Sequence, residues 1–320
     1  MRKLTHQEFR LFERDGVVVL RDVMSQEHIA GLRSAVDARM RLIGKTETGY
    51  DLQAVADQVF DMKDKIDAGT ANRFDLDVLP AQIAADPEAR RMVDSMDAPK
   101  PGRFFYEAGC WRLSKPIRQA VFDSALPELV ADLVDADDVL FFEDTIFARD
   151  PQTPQQTAWH QDLDYFNVGN EGRKVIVWIP LDVCDAETGG MKYVRGSHKW
   201  GETYAANVFF TSTPMSGSEE QRLPDIGANE DAYDIVSFDV NPGDVIIHDV
   251  MTLHGASGNT SSRPRRAISF RYVDGDVRYF ERPGAVTQTG ISHTLKNGDP
   301  LLCEDYPLAF HRAWEQVAVG

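Results

Sequence analysis

The sequence predicts a mainly β protein, an antiparallel sandwich or jelly roll with flanking helices packed outside. After residue 138, β-branched and aromatic runs are separated by turn residues, which is the pattern of short paired strands. Before that point the apolar residues recur at helical spacing. A chain of 320 residues is compatible with one domain. We therefore expect one domain over residues 1–320, with a largely helical part at 1–137, the β core at 138–275 and a C-terminal extension at 276–320.

Capping signals predict the first two helices. Thr5 followed by Glu8 has the spacing of a capping box, so a short helix is expected to follow and to end before Gly16. The β-branched run Val17–Leu20 predicts a short buried strand between them. Ser25 is a good N-cap for a second helical pattern that continues to about Met40. These helices are expected to lie outside the β core.

Later parts of the chain predict further helices and the strands of the core. Apolar residues at helical spacing predict a helical stretch over 111–134, and the polar, Ala-rich run at 51–96 predicts helices and loops. The strand candidates are Val139–Ala148, Lys174–Leu181, Lys192–Arg195, Ile235–Phe238, Asp244–His248 and Arg266–Val273.

Charge and cysteine usage argue against several classes of protein. Asp and Glu number 51 against 34 for Lys and Arg, and the net charge of −17 disfavours binding to nucleic acid or anionic membranes. No run approaches the roughly 18 apolar residues of a membrane span, and the charged N-terminus does not read as a secretion signal. The 3 cysteines are odd in number and widely spaced, which argues against a disulfide framework. We therefore expect a cytoplasmic protein.

The segment around Trp159 contains a candidate metal site. His160 and Asp162 are two residues apart, so both side chains would point to the same side of an extended backbone. An imidazole and a carboxylate, joined by a second remote imidazole, form the facial triad of non-haem Fe(II) oxygenases, which leaves positions open for cosubstrate and oxygen. Alone, this short motif is a weak signal.

The second imidazole is expected from His254, which follows a predicted strand and precedes a Gly turn. His248 lies six residues earlier on the same strand face and is the rival ligand, although a hydrogen bond to a ligand is its favoured role. Arg265 opens the next strand, and its planar fork suits the distal carboxylate of 2-oxoglutarate. Strand alternation puts Arg265 on a face with small residues and Arg266 on the other. Arg271 shares the face of Arg265 and could meet an anionic group of the substrate.

Together these motifs resemble the phytanoyl-CoA dioxygenase family. The resemblance extends from about residue 8 to about residue 272 and rests on motifs in a fixed order. They are Trp159-His160-Gln161-Asp162, Thr188-Gly189-Gly190-Met191, Arg195-Gly196-Ser197-His198-Lys199, Gly243-Asp244, and His254-Gly255 with Asn259 and Arg265.

The resemblance implies a double-stranded β-helix, the cupin-like form of the jelly roll. It implies that His160, Asp162 and His254 ligate Fe(II), that Arg265 binds 2-oxoglutarate, and that Trp178 lines the cosubstrate pocket. It also implies that 2-oxoglutarate and O₂ are converted to succinate and CO₂ while a small molecule is oxidised. Because Asp162 keeps the carboxylate that halogenating relatives lack, hydroxylation or a related C–H oxidation such as desaturation is expected.

The sequence departs from the family in two places. Relatives often carry a serine two residues after the distal histidine, where this chain has Ala256, and Ser257 is then the nearest candidate for a hydroxyl contact. The stretches 41–105 and after 275 match no member of known substrate, so the substrate and the oligomeric state are open. Two alternatives also remain: a metal enzyme that is not an oxygenase on a cupin-like barrel, which would not need Arg265, and a non-catalytic jelly-roll binding module.

Overall fold

Two antiparallel sheets form the centre of the structure. The computed structural model describes residues 2–43, 49–52, 102–207, 209, 212, 214, 220–282, 285, 288 and 291–312. Most of the predicted helix and loop region at 51–96 lies outside the described residues. No helix in the described part of the chain combines the length and the apolar character that crossing a membrane requires.

The helices begin where the capping signals predict. Helix α1 (His6–Asp15) has a complete capping box, because the Thr5 hydroxyl accepts from the Glu8 backbone N–H and the Glu8 carboxylate accepts from the Thr5 backbone N–H. It ends at Gly16, whose φ of 75° suits a residue without a side chain. Helix α2 (Gln26–Met40) is capped by Ser25.

The expected helical stretch over 111–134 contains two helices. Helix α3 spans Lys115–Phe122 and helix α4 spans Leu126–Val134, with a 3₁₀ turn over Cys110–Arg112 before them. Pro127 lies in the first turn of α4. Because proline lacks the N–H that a continuing helix needs, it is tolerated at the start of a helix and breaks an interior.

Eight strands form the larger sheet. Seven follow the order β1-β9-β6-β11-β4-β3-β2, and β12 pairs with β4. Their bounds are β1 Val17–Leu20, β2 Gly49–Asp51, β3 Phe104–Ala108, β4 Asp138–Arg149, β6 Lys174–Pro180, β9 Val245–Asp249, β11 Arg265–Asp274 and β12 Leu308–His311.

The smaller sheet has four strands in the order β5-β10-β7-β8. Their bounds are β5 Thr157–His160, β7 Met191–Val194, β8 Ile235–Ser237 and β10 His254–Ala256. This sheet faces the larger one across a cavity, to which β4, β6, β9 and β11 of one sheet and β5, β7 and β10 of the other contribute side chains.

The helices cover the outer face of the larger sheet. Phe141, Phe270 and Tyr272 of the sheet are fully buried in one apolar cluster with Ile29 of α2 and Leu129 of α4. Full burial of each such side chain contributes roughly 1.5 to 3 kcal/mol. The predicted mainly β fold with helices packed outside is confirmed.

All seven predicted strands are present, with ends within one residue of the prediction. Strands β2, β3, β5, β10 and β12 were not predicted. They are three to five residues long, and a segment this short shows too little alternation to be separated from a loop. All three cysteines are free thiols, while a cytoplasmic location and a single domain stay predictions.

Candidate active site

Two neighbouring strands of the smaller sheet bring the predicted metal ligands together. His160 is the last residue of β5 and lies directly opposite His254, the first residue of β10. The Nε2 atoms of His160 and His254 lie 3.6 and 3.7 Å from the two carboxylate oxygens of Asp162. One ligand atom from each of the three residues lies within 4.8 Å of the others, so the group could hold a single metal ion.

Asp162 reaches this group by a different route from the one expected. Strand β5 ends at His160, and Asp162 has the helical backbone angles φ −89° and ψ −22° at the start of a 3₁₀ turn. The expectation of an extended backbone through both residues is therefore wrong, because the chain turns immediately after His160. This turn places the Asp162 carboxylate beside the His160 imidazole.

The histidine rings are oriented for metal binding by backbone carbonyls. Nδ1 of His160 lies 2.8 Å from the carbonyl oxygen of Ala158, and Nδ1 of His254 lies 2.9 Å from that of Thr252. A carbonyl oxygen only accepts, so the ring proton is on Nδ1 and each Nε2 presents a lone pair to the centre of the group.

The charge state of the group suits a divalent cation. Burial, together with the repulsion between the two rings, lowers the pKa of His160 to about 4. Burial likewise lowers the pKa of His254 to about 4, with repulsion from His248 acting in the same direction. Burial alone would raise the pKa of Asp162, but the surrounding imidazoles, His254 first, outweigh it and hold that pKa below its usual range. At neutral pH the group is two neutral imidazoles and one carboxylate, the protonation state that metal ligation requires.

The rival histidine lies beside the group as a hydrogen-bond partner. Nε2 of His248 is 3.3 Å from the Asp162 carboxylate, and the ring is 1% exposed. Its ligand atoms are not among those that converge. This geometry favours a role in orienting Asp162 over a role as a fourth ligand.

Arg265 lies in the same cavity as the three candidate ligands. Its side chain is 2% exposed, yet its Nε and Nη2 atoms have no hydrogen-bond partner among the described residues. The guanidinium lies 5.0 Å from the ring centroid of Trp178, which lines the same cavity. A buried guanidinium without an acceptor is suited to bind an anion, because a buried unpaired charge costs free energy.

Strand alternation distinguishes the two neighbouring arginines as expected. Arg266 points to the opposite side of β11, where it donates through Nε and Nη2 to both carboxylate oxygens of Asp182 and through Nη1 to Asp37 of α2. These bonds raise its pKa, Asp182 contributing most. Arg266 therefore joins the sheet to a helix and is not available to a ligand.

Two predicted contacts have a different placement. Ser257 lines a neighbouring depression together with Lys192 and Glu230, and not the cavity of the candidate ligands. Arg271 does line the cavity, but its guanidinium is paired with Glu143 at 3.5 Å and hydrogen-bonds the Thr145 hydroxyl. Its charge is therefore already balanced within the protein.

An aromatic wall lies beside His160; the sequence offered Tyr106 and Tyr165 as candidates for such a wall, but it gave no signal for Phe147 and Phe209. The ring of Phe209 lies 5.4 Å from the His160 ring and stacks on Phe147 at 5.5 Å, and Tyr106 packs edge-on against both phenylalanines. Tyr165 contacts His160 from another side, with ring centroids 5.7 Å apart. Phe209 lies outside the described helices and strands, so no helical or strand periodicity marks it as a residue that faces the cavity.

Comparison with known proteins agrees with this geometry. A family model described as phytanoyl-CoA dioxygenase (PhyH) matches residues 12–267. A phytanoyl-CoA dioxygenase domain-containing protein 1 homolog from Caenorhabditis elegans is 24% identical over 273 residues, which is 82% of this chain and 88% of that protein.

Solved structures with the same fold include enzymes of natural-product biosynthesis. The epimerase SnoN, in complex with Fe³⁺, α-ketoglutarate and a nogalamycin compound, matches with a TM-score of 0.64 and 17% identity over 95% of this chain and 97% of its own. The non-haem α-ketoglutarate-dependent carbocyclase SnoK matches with a TM-score of 0.62 and 21% identity, over 95% and 96%. EctD from S. alaskensis, with 2-oxoglutarate and 5-hydroxyectoine, matches with a TM-score of 0.55 and 17% identity, over 93% and 85%.

The family model covers most of the chain, including all three candidate ligands and Arg265. This chain belongs to the phytanoyl-CoA dioxygenase family.

Proposed function

We propose that this protein is an Fe(II)- and 2-oxoglutarate-dependent dioxygenase that hydroxylates a small-molecule metabolite and releases succinate and CO₂. The proposal rests on one observation: three converging ligand atoms and a buried guanidinium without an acceptor line the same cavity. A metal enzyme of another kind on this barrel would not need Arg265, and a binding module would not need the triad.

The residues present fit the iron and its cosubstrate. His160, Asp162 and His254 would hold the metal from one side and leave its other positions free. The iron, when bound, supplies activation of O₂ for C–H oxidation. Arg265 would hold the distal carboxylate of 2-oxoglutarate as a bidentate partner, with Trp178 flanking it.

The cavity walls would shape the site for a substrate. The aromatic side chains of Phe147 and Phe209 lie next to His160, where they exclude water from the reacting centre. The neutral imidazoles and the ionised Asp162 are in the correct protonation state before the metal arrives, so binding needs no proton release at neutral pH.

Similar structures support the cosubstrate and widen the range of products. SnoN and SnoK are described as α-ketoglutarate dependent, the first an epimerase and the second a carbocyclase. Hydroxylation is our proposal for this chain because its carboxylate ligand is retained. Product analysis must therefore distinguish an added oxygen from a change in stereochemistry or ring closure.

Iron-dependent turnover of 2-oxoglutarate tests the proposal before the substrate is known. Protein loaded with Fe(II) without oxygen and then exposed to O₂ should convert 2-oxoglutarate to succinate slowly. His160→Ala, Asp162→Ala and His254→Ala should each abolish this conversion and iron retention, whereas His6→Ala, at an exposed position of α1, should change neither. Succinate formation that persists in a triad variant would overturn the assignment. So would a wild-type protein that forms no succinate with any divalent metal.

A further inference from the structure

A residue with a hydroxyl group lies opposite the position at which this chain has alanine in place of the serine of its relatives. Ala256 of β10, where relatives often have serine, lies directly across the ladder from Thr157 of β5. Side chains at directly opposed positions of an antiparallel pair are about 4.5 to 5.5 Å apart at Cβ. A hydroxyl on Thr157 is therefore close to the position that a serine at 256 would occupy.

A β-bulge turns Thr157 toward the cavity. Between the two paired positions, β5 takes three steps from Thr157 to His160 while β10 takes two from Ala256 to His254. In a regular strand, residues three apart point to opposite faces. The extra residue resets the alternation, and both Thr157 and His160 line the cavity that contains Arg265.

A hydrogen bond fixes the position of the Thr157 hydroxyl and leaves that hydroxyl free to donate. Its oxygen accepts a hydrogen bond from Nη2 of Arg149 at 2.8 Å, and Nη1 of the same guanidinium donates to the carbonyl of Ser257 at 2.8 Å. An oxygen that accepts from Arg149 cannot direct its own hydrogen there. That hydrogen is available to an acceptor in the cavity.

The surroundings of Thr157 favour an anionic acceptor. Arg149 and Arg265 are directly paired across β4 and β11, are 1% and 2% exposed, and form no ion pair with a carboxylate in the described part of the chain. Burial, together with repulsion from Arg265, lowers the pKa of Arg149. A carboxylate bound between Arg265 and Thr157 would relieve this excess of positive charge.

We propose that Thr157, positioned by Arg149, donates its hydroxyl hydrogen to the distal carboxylate of 2-oxoglutarate bound at Arg265, in place of the serine that this chain lacks. This inference rests on the proposed function. Thr157 is a cosubstrate-binding residue, and Arg149 is a positioning residue that acts through it. The contact that the sequence assigned to Ser257 belongs, on this proposal, to Thr157, while Ser257 contributes only its backbone carbonyl.

Binding measurements without oxygen test this contact apart from catalysis. The affinity of Mn(II)-loaded protein for 2-oxoglutarate would be measured by calorimetry for the wild type, Thr157→Val and Thr157→Ser. Valine keeps the shape and removes the hydroxyl, whereas serine keeps the hydroxyl. Loss of a hydrogen bond to a charged group corresponds to roughly 10- to 100-fold weaker binding, which we expect for T157V and not for T157S.

Two further measurements assign the loss to the hydroxyl. Oxalate chelates the metal but is too short to reach Arg265, so its affinity should be equal in the wild type and T157V. The double variant T157V/A256S returns a hydroxyl from the opposite strand and should regain most of the lost affinity for 2-oxoglutarate. Should T157V fail to fold, T157A compared with T157S makes the same comparison.

The outcomes separate this inference from the proposed function. T157V that binds 2-oxoglutarate as well as the wild type overturns the inference, as does T157S that loses as much affinity as T157V. A wild-type protein that binds no 2-oxoglutarate overturns the proposed function itself.

Discussion

Arg265 should bind the cosubstrate and at the same time lower the stability of the free protein, and Arg265→Met tests both effects. Methionine replaces the guanidinium with an unbranched apolar side chain in a site that is 2% exposed. In the protein without cosubstrate, the guanidinium has two buried nitrogens without acceptors and lies opposite a second buried arginine, Arg149. Removing such a charge should leave the free energy of unfolding unchanged or raise it.

The effect on cosubstrate binding should be large and in the other direction. A bidentate pair with a carboxylate consists of two charge-assisted hydrogen bonds, each contributing roughly 1.5 to 3 kcal/mol. Loss of both corresponds to about 3 to 6 kcal/mol, or roughly 100- to 20,000-fold in the dissociation constant of 2-oxoglutarate. The saturation curve for succinate formation should shift by a similar factor.

Arg266→Met is the matched control. This neighbouring arginine donates to Asp182 and Asp37, so its loss removes two hydrogen bonds from the first carboxylate and one from the second. Because the side chain is part-exposed, we expect the free energy of unfolding to fall by roughly 1 to 3 kcal/mol. The affinity for 2-oxoglutarate should not change.

Two assays on both variants decide the question. Calorimetry of Mn(II)-loaded protein gives the affinity for 2-oxoglutarate, and urea unfolding of the metal-free protein gives the stability. An R265M variant with normal affinity would refute the assignment of the carboxylate site. An R265M variant that is as destabilised as R266M would refute the argument that its guanidinium is unpaired in the free protein.

Two other predictions concern the metal group. His248→Phe removes the hydrogen bond to Asp162, so Fe(II) binding should be about 10- to 100-fold weaker, as measured by competition with a chelator. Excess Fe(II) should restore turnover. Unchanged iron retention would contradict the orienting role of His248. The pKa of His160 and of His254 is about 4 when folded and 6.5 when unfolded, so the unfolded metal-free chain takes up protons first as the pH falls below 6.5. Stability should therefore be lost between pH 6.5 and 4, by about 2 kcal/mol for each ring at pH 5. Urea unfolding at pH 7 and 5 should show a smaller loss in His160→Gln than in the wild type, and an equal loss would contradict the shift.

The sequence alone was sufficient where the physical cause is local. The capping box of Thr5 and Glu8 depends on residues three apart, and it predicted the start of α1 correctly. Alternation along one regular strand distinguished Arg265 from Arg266. The fold class followed from the same local periods, summed over many elements.

Only the tertiary structure decided the features that depend on a partner strand. The bulge between β5 and β10 directs Thr157 into the cavity, and alternation on β5 alone predicts the opposite face. Arg149 matters because the register of β4 and β11 places it against Arg265, more than a hundred residues away in the chain. Register and bulges are set by pairing between distant segments, so they cannot be predicted from the sequence of a single strand.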